Sequence, residues 1–198
     1  MATKKGSVRQ RATATALDLA AKRGWDTISL NDIARAGKMT LAELYGEFSS
    51  KQAILEAFSR DIDMKVLAGL GEAGADETPR DRLFDVVMRR IDALEPHKAA
   101  IESIVRAAGR DPIALVCGLG SAQHSMACML EAAGISTAGL TGVIRVNGLA
   151  ALYGSVLRTW FSDESPDKAR TMAALDRGLR RAEDLLTRLG RRRRPAAA

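Results

Sequence analysis

Between Ser29 and Phe48 the chain has room for two short helices and almost nothing between them. Ser29 suits the N-cap of a helix through Ala36, because its hydroxyl can accept from the backbone N–H groups left open in a first turn. Asp32, three residues on, completes a near capping-box pattern. Gly37 lies at the turn, and Thr40 can cap a second short helix through about Glu47. The first of these helices offers Ile33 and Ala34 to a core; the second offers Leu44, Tyr45 and Phe48. Helices joined so tightly cannot lie antiparallel, so they cross steeply. Such a pair can present the N-terminal end of its second member to a DNA major groove. An ordinary helical corner has the same spacing.

The rest of the chain also reads as helix. Ala and Leu dominate and only 4% of residues are aromatic, which favours helix over sheet. With 198 residues, 46% of them hydrophobic, a sizeable core can be buried. No internal repeat and no strand-like alternation of useful length is found. The periodicity predicts a first helix from Val8 to Arg23, with Ala12, Ala16, Leu19 and Ala20 on one face and Gly24 ending it. Ser49 or Ser50 caps a long fourth helix from Lys51 to about Leu70, and Gly71 to Thr78 reads as a loop. Pro79 opens a fifth helix carrying Leu83, Val86, Val87 and Ile91. Pro96 opens a sixth, with Ile101, Ile104 and Val105, closed by Gly109. A seventh runs from Asp111-Pro112 to about Ala133. The eighth spans about Ser136 to Phe161, with Val146, Leu149, Tyr153, Leu157 and Trp160 at helical steps. Ser165-Pro166-Asp167 combines a cap, a Pro and an acid, and starts a ninth. Its stripe is Met172, Leu175, Leu179, Ala182, Leu186 and Leu189.

The formal charge of +6 suits a polyanionic partner without requiring one. Lys4, Lys5, Arg9 and Arg11 form an acid-free N-terminal arm, and Arg191 to Arg194 a second basic cluster; both are expected as solvated tails. Cys117 and Cys128 have no zinc-ligand spacing and fit reduced thiols in a cytoplasmic protein. No stretch approaches ~18 uninterrupted apolar residues. The N-terminus lacks an apolar signal core, which argues against export. No catalytic set stands out, so no enzymatic activity is expected. His97, after Pro96, is expected at a helix start on the surface. Met126, Cys128 and Met129 near His124 are better explained by helix packing than by a soft metal. No phosphate-binding glycine loop follows a strand, and no metal or other cofactor is expected.

Residues 16–55, ALDLAAKRGWDTISLNDIARAGKMTLAELYGEFSSKQAIL, resemble the N-terminal head of TetR-family repressors. The shared features are Gly24 followed by the aromatic Trp25, Asp32-Ile33-Ala34, Leu44-Tyr45, Phe48, and Lys51 with Ile54-Leu55. The resemblance implies an all-α, TetR-like homodimer of about nine helices. Residues 1–49 would form a basic arm and helix-turn-helix head, 50–190 a linker helix with a ligand-binding and dimerisation domain, and 191–198 a basic disordered tail. It implies a cytoplasmic, ligand-responsive repressor that binds double-stranded DNA at a near-palindromic operator, with heads ~34–36 Å apart. By position, Ser29 and Asn31 would sit at a phosphate, Thr40, Leu41, Ala42 and Glu43 would face base edges, and Tyr45 and Lys51 would hold the backbone. For Tyr45, packing in the core is the competing role.

Two departures stand against the family pattern. Gly37-Lys38-Met39 replaces the usual Ala-Gly-Val, putting Lys38 where glycine is usual; a positive φ there would cost roughly 1–2 kcal/mol. The second short helix carries Glu43 and Glu47 on one face and no Lys or Arg, which would repel phosphates. A second resemblance bears on this. Residues 145–185 are similar to the end of the TetR-derived lipid-binding family of ubiquinone biosynthesis, through Trp160, the acidic turn with Ser165-Pro166-Asp167, Leu175 and Arg177. It implies the alternative of a lipid-binding accessory protein with little DNA binding.

A small apolar or lipid effector would meet pocket residues Phe84, Val87, Ile104, Val105, Met126, Leu130, Val146, Tyr153 and Trp160, each of which could be ordinary core. Gly148, Ala151 and Ser155 on the eighth helix, with Leu175 and Leu179 on the ninth, suit a dimer seam; the alternative is packing within one subunit.

Overall fold

The computed structural model describes the backbone of residues 7–71, 77–110 and 112–192, and the side chains of these stretches except 112–119 and 186–192. The elements are α1 (Val8–Arg23), α2 (Leu30–Ala36), α3 (Leu41–Glu47), α4 (Lys51–Ala68), α5 (Pro79–Leu94), α6 (Lys98–Ala108), α7 (Pro112–Ala132), α8 (Gly139–Phe161) and α9 (Ala169–Arg192), with no strand among the described residues. The fold is all-α, as the composition predicts. Lys4, Lys5, Asp111, the side chains of Cys117, Leu186 and Leu189, and the Arg191–Arg194 cluster's side chains lie outside the described set.

The chain forms two compact units, one of residues up to Gly69 with Arg90–Ser125, the other of Leu70–Arg89 with the residues from Met126 on. They cut the chain differently from the division at residue 49 read from the sequence. The core of the first unit shows why. Ala16, Ile33, Leu44 and Phe48 of the first three helices pack in one cluster with Ile54 and Ala57 of α4 and Ala100 of α6, and Ile104 packs against it. The first three helices alone have too little apolar surface to close a core.

Local chemistry sets the helix boundaries in this unit. Ser7 caps α1, accepting from Gln10 N–H at 3.2 Å while its own N–H donates to the Gln10 side chain at 3.1 Å. Arg9 and Arg11 are therefore inside a helix rather than on an arm. The Arg9 guanidinium lies 3.6 Å from Asp61 and 5.7 Å from the Phe48 ring centroid. Pro96 sits in a 3₁₀ turn, Glu95–His97, and α6 begins only after it. His97 is half-buried, its ring edge-on to Phe58 at 5.2 Å, rather than a surface residue. A polar node the sequence did not reveal joins α4, α5 and α7. Buried Arg90 pairs with Asp63 and donates to Ser59 Oγ at 2.9 Å, and Ser125 Oγ donates to Asp63 at 2.7 Å.

In the second unit α8 and α9 pack together along buried Leu149, Tyr153, Val156, Trp160, Leu175 and Leu179. The approach is close at Gly178, where a Cβ would lie 2.1 Å from Leu152 Cδ1. Two helix starts fall later than the sequence predicts. Thr137 donates its N–H and hydroxyl to Glu131 at 2.8 and 2.6 Å, which holds residues 135–138 out of the helix until Gly139. At the other end Asp163 accepts from the Ser165 hydroxyl at 2.5 Å and from the Thr171 N–H and hydroxyl at 2.8 and 2.6 Å. That holds Pro166-Asp167 in a turn, and Lys168 at φ 54° delays α9 to Ala169. Ala182 is exposed and not part of a buried stripe.

These hydrogen bonds hold the Asp163 carboxyl well below the usual carboxylate range, the Ser165 hydroxyl contributing most. A depressed native pKa stabilises the fold above the unfolded value near about 4, and that contribution is lost as pH falls. Asp163→Asn is expected to flatten the loss of stability between about pH 5 and 3, read by urea denaturation across that range. Lys38 adopts φ 51°, the conformation whose cost the sequence raised as a condition at this glycine position. Lys38→Gly is expected to raise the unfolding free energy by about 0.5–1 kcal/mol, the left-handed penalty less the extra entropy of glycine.

Candidate nucleic-acid interface

α2 and α3 are each a single short helix tied off by its own side chains. Ser29 Oγ accepts from Asp32 N–H at 3.1 Å, and Asp32 accepts from the Ser29 N–H and hydroxyl at 2.9 and 2.7 Å. Thr40 and Glu43 repeat the arrangement: Oγ1 accepts from Glu43 N–H at 3.1 Å, and the carboxylate accepts from the Thr40 N–H and hydroxyl at 2.7 and 2.9 Å. Both carboxyls are held below their ordinary range by these bonds, Asp32 first by the Ser29 hydroxyl and Glu43 first by the Thr40 N–H. The consequence for recognition is direct. The hydroxyl hydrogens of Ser29 and Thr40 point at their own caps, so a phosphate oxygen would have to displace a carboxylate to use them.

Leu44 is fully buried and anchors α3, while Leu41 and Tyr45 are 47% and 62% exposed. Ala42, Glu43, Gly46 and Glu47 are also exposed. Tyr45 is therefore not a core residue, as one reading of the sequence had it. The outer helix of the pair is solvent-facing, as groove entry requires.

Lys51 opens α4 and turns inward. Its Nζ donates to Trp25 O at 2.9 Å and Ile28 O at 2.6 Å, and lies 4.9 Å from the Trp25 ring centroid. Burial pushes its pKa down, partly opposed by Asp26 and Asp32. An ammonium has three N–H donors, so one remains for a phosphate oxygen. Ser50 caps the same helix, accepting from Ala53 N–H at 3.1 Å.

An open groove runs between the start of α2, the exposed flank of α3 and the start of α4. It is lined by Ile28, Ser29, Leu30, Asn31, Leu41, Tyr45, Ser49, Ser50, Lys51 and Gln52. The tertiary structure thus brings Ser29, Asn31, Leu41, Tyr45 and Lys51 together. Thr40, Ala42 and Glu43 lie outside the groove lining, on or beside exposed α3. Sequence reasoning missed Ser49, Ser50 and Gln52 as members; the helix-start position of Ser49 and Ser50 was the available signal. The N–H groups opening the 18-residue α4 favour negative charge at this edge.

The other expected residues fall in different units. Phe84, Val87, Met126, Leu130, Val146, Tyr153 and Trp160 belong to the second unit; Ile104 and Val105 belong to the first. Ile104 packs on the head core and Val105 is 44% exposed, so these two do not share a pocket with each other. Val87, Met126, Leu130, Tyr153 and Trp160 are buried, and Phe84 and Val146 are half-buried. Leu175 and Leu179 are buried within the subunit, which is the alternative the sequence left open for them. Gly148, Ala151 and Ser155 are exposed on α8, in line with Leu140, Val143 and Ile144 at 71%, 56% and 50% exposure. By length and composition α8 could also cross a bilayer, with mean hydropathy 1.3 and 22% of that window buried. Arg145 and Asn147 interrupt it.

Lys51→Ala would leave two backbone carbonyls without their charged donor. It is expected to destabilise the first unit by about 2 kcal/mol, measured by urea unfolding, whereas a lysine serving only a phosphate would leave stability unchanged.

Residues 12–58 match the family described as bacterial regulatory proteins, tetR family. No curated protein matches the chain. Among solved structures the chain is similar to a TetR transcriptional regulator from Nitrosomonas europaea, with TM-score 0.71 and 23% identity over 90% of this chain and 99% of that one. It is also similar to a TetR transcriptional regulator from Rhodococcus sp. RHA1, with TM-score 0.57 and 20% identity over 89% and 97%. A tetR-family regulator from Streptomyces coelicolor gives TM-score 0.57 and 18% identity over 93% and 89%. The chain carries a TetR-family helix-turn-helix domain at its N-terminus, within the all-helical fold of TetR-type transcriptional regulators.

Proposed function

We propose that the protein is a cytoplasmic, homodimeric DNA-binding repressor of TetR type, responsive to a small apolar or lipid effector and without enzymatic activity. The observation that carries this reading is the exposed outer helix α3 beside a groove lined by Asn31, Tyr45, Ser50 and Lys51. Asn31, Tyr45 and the third Lys51 N–H would take phosphate oxygens and fix register, while the N-terminal end of α3 enters the major groove. The capping boxes argue against a hydroxyl donated by Ser29 to a phosphate or by Thr40 to a base edge, the roles expected of them.

Dimerisation would use the exposed face of α8. Leu140, Val143 and Ile144 continue into the small residues Gly148, Ala151 and Ser155, so two copies of this helix can meet closely along an apolar seam. A dimer supplies the two heads that a near-palindrome needs. Effector binding would act by favouring one arrangement of the heads, which requires different effector affinity in the two.

The test is binding of the full chain to inverted-repeat and random duplexes over a range of salt. The repressor reading expects a preference of ~10³-fold or more for its operator. Ile144→Asp is expected to give monomers by sedimentation and to abolish operator binding with little change in melting temperature. Weak, sequence-independent binding together with a co-purified lipid in native mass spectrometry would instead favour a lipid-binding accessory protein.

A further inference from the structure

We propose that the head selects its half-site through the C5-methyl groups of thymine, met by Leu41 and Ala42, rather than through hydrogen bonds to guanine or adenine. This rests on the DNA-binding reading above and names the base it reads. At about 100° per residue, buried Leu44 sets the inward direction of α3. Ala42 and Gly46 then form the outward crest, Leu41 and Tyr45 one flank, and Glu43 and Glu47 the other.

The side chains available decide what can be read. Guanine is recognised by Arg or Lys at O6 and N7, and adenine by Asn or Gln at N6 and N7. The sequence of α3, LAELYGE, contains none of these four residues. Cytosine N4 needs a carboxylate acceptor. The Glu43 carboxylate is tied back to its own cap, Oε2 accepting from the Thr40 N–H and hydroxyl at 2.7 and 2.9 Å, so reaching a cytosine N4 would leave it only Oε1 or break the cap. Glu47 sits at the C-terminal end of the helix, whereas base edges are reached from the N-terminal end. Tyr45 lines the groove with Lys51 and Asn31, where its hydroxyl would serve the DNA backbone. What remains on α3 itself at the entering end is the 47% exposed Leu41 side chain and the Ala42 methyl, with Thr40 held in its cap and Lys38 before it at the turn as a backbone charge. Both are apolar, and the thymine methyl is the apolar feature of the major groove. Beyond Ala42 the crest is open: a Cβ on Gly46 would meet nothing within 4 Å. The acidic flank reinforces the choice, because it repels phosphates and keeps α3 tilted onto its apolar side.

The experiment selects binding sites for the full chain from duplexes with a randomised core, then replaces thymine by deoxyuridine at each selected position, one at a time. The expected result is a motif with thymines at the α3-facing positions, each weakened about fourfold by loss of its methyl group. In Leu41→Ala the dT and dU duplexes should bind alike at one of these positions. That variant keeps the buried face of α3, so its melting temperature should match the parent's, and a structural defect would lower both affinities together instead. A selected motif that is guanine-dependent and indifferent to deoxyuridine would overturn the thymine reading and leave the repressor reading standing. Failure to select any motif would overturn both.

Discussion

The helix-turn-helix is held in place by one ammonium group. Lys51 Nζ bonds the carbonyls of Trp25 and Ile28 and sits over the Trp25 ring. These carbonyls belong to the segment that leads from α1 into α2, and the lysine belongs to the first turn of α4. The start of α4 is thereby pinned to the entrance of α2, while Trp25 N–H donates to Ser103 Oγ of α6 at 2.9 Å. A charged donor on two partly buried carbonyls satisfies groups that would otherwise be costly to leave open. The α3 helix, seven residues long, could not hold its orientation by its own hydrogen bonds. It depends on Leu44, Phe48 and the frame that Lys51 closes.

The same economy explains the acids that look misplaced on the proposed DNA-binding surface. Asp32 and Glu43 are the reciprocal halves of capping boxes, so their charge is bound to the N-termini of the helices they close. They order the recognition pair at the expense of hydroxyls that might have met phosphate. Glu47 closes no cap, and its position at the far end of α3 keeps it away from the N-terminal tip. Among the described residues, positive charge near the pair comes from Lys51 through its remaining donor, Lys38 at the turn, Arg11, which lowers the Glu43 pKa, and the dipole of α4.

Several features were legible because they are local. Caps at Ser29, Thr40 and Ser50, the stop at Gly24 and the strain at Lys38 depend on residues within a turn of each other. The misjudged helix starts at Gly139 and Ala169 show the limit of the same reasoning. At both, a carboxylate outside the expected cap, Glu131 or Asp163, captured the hydroxyls and held a turn open. The inward turn of Lys51 and the Arg90–Asp63 node were invisible, since an exposed and a buried basic residue have the same helical spacing.

By itself the sequence determined that this is an all-helical chain with a crossed pair of short helices near its N-terminus, because helical periodicity and capping are written within a few residues. Tertiary structure alone decided what each surface residue is for. It turned Lys51 inward, left Tyr45 outward, buried Leu175 and Leu179 inside the subunit and exposed the apolar face of α8. Those outcomes follow from which helices pack on which, and burial of a side chain is a property of its neighbours in space rather than in sequence.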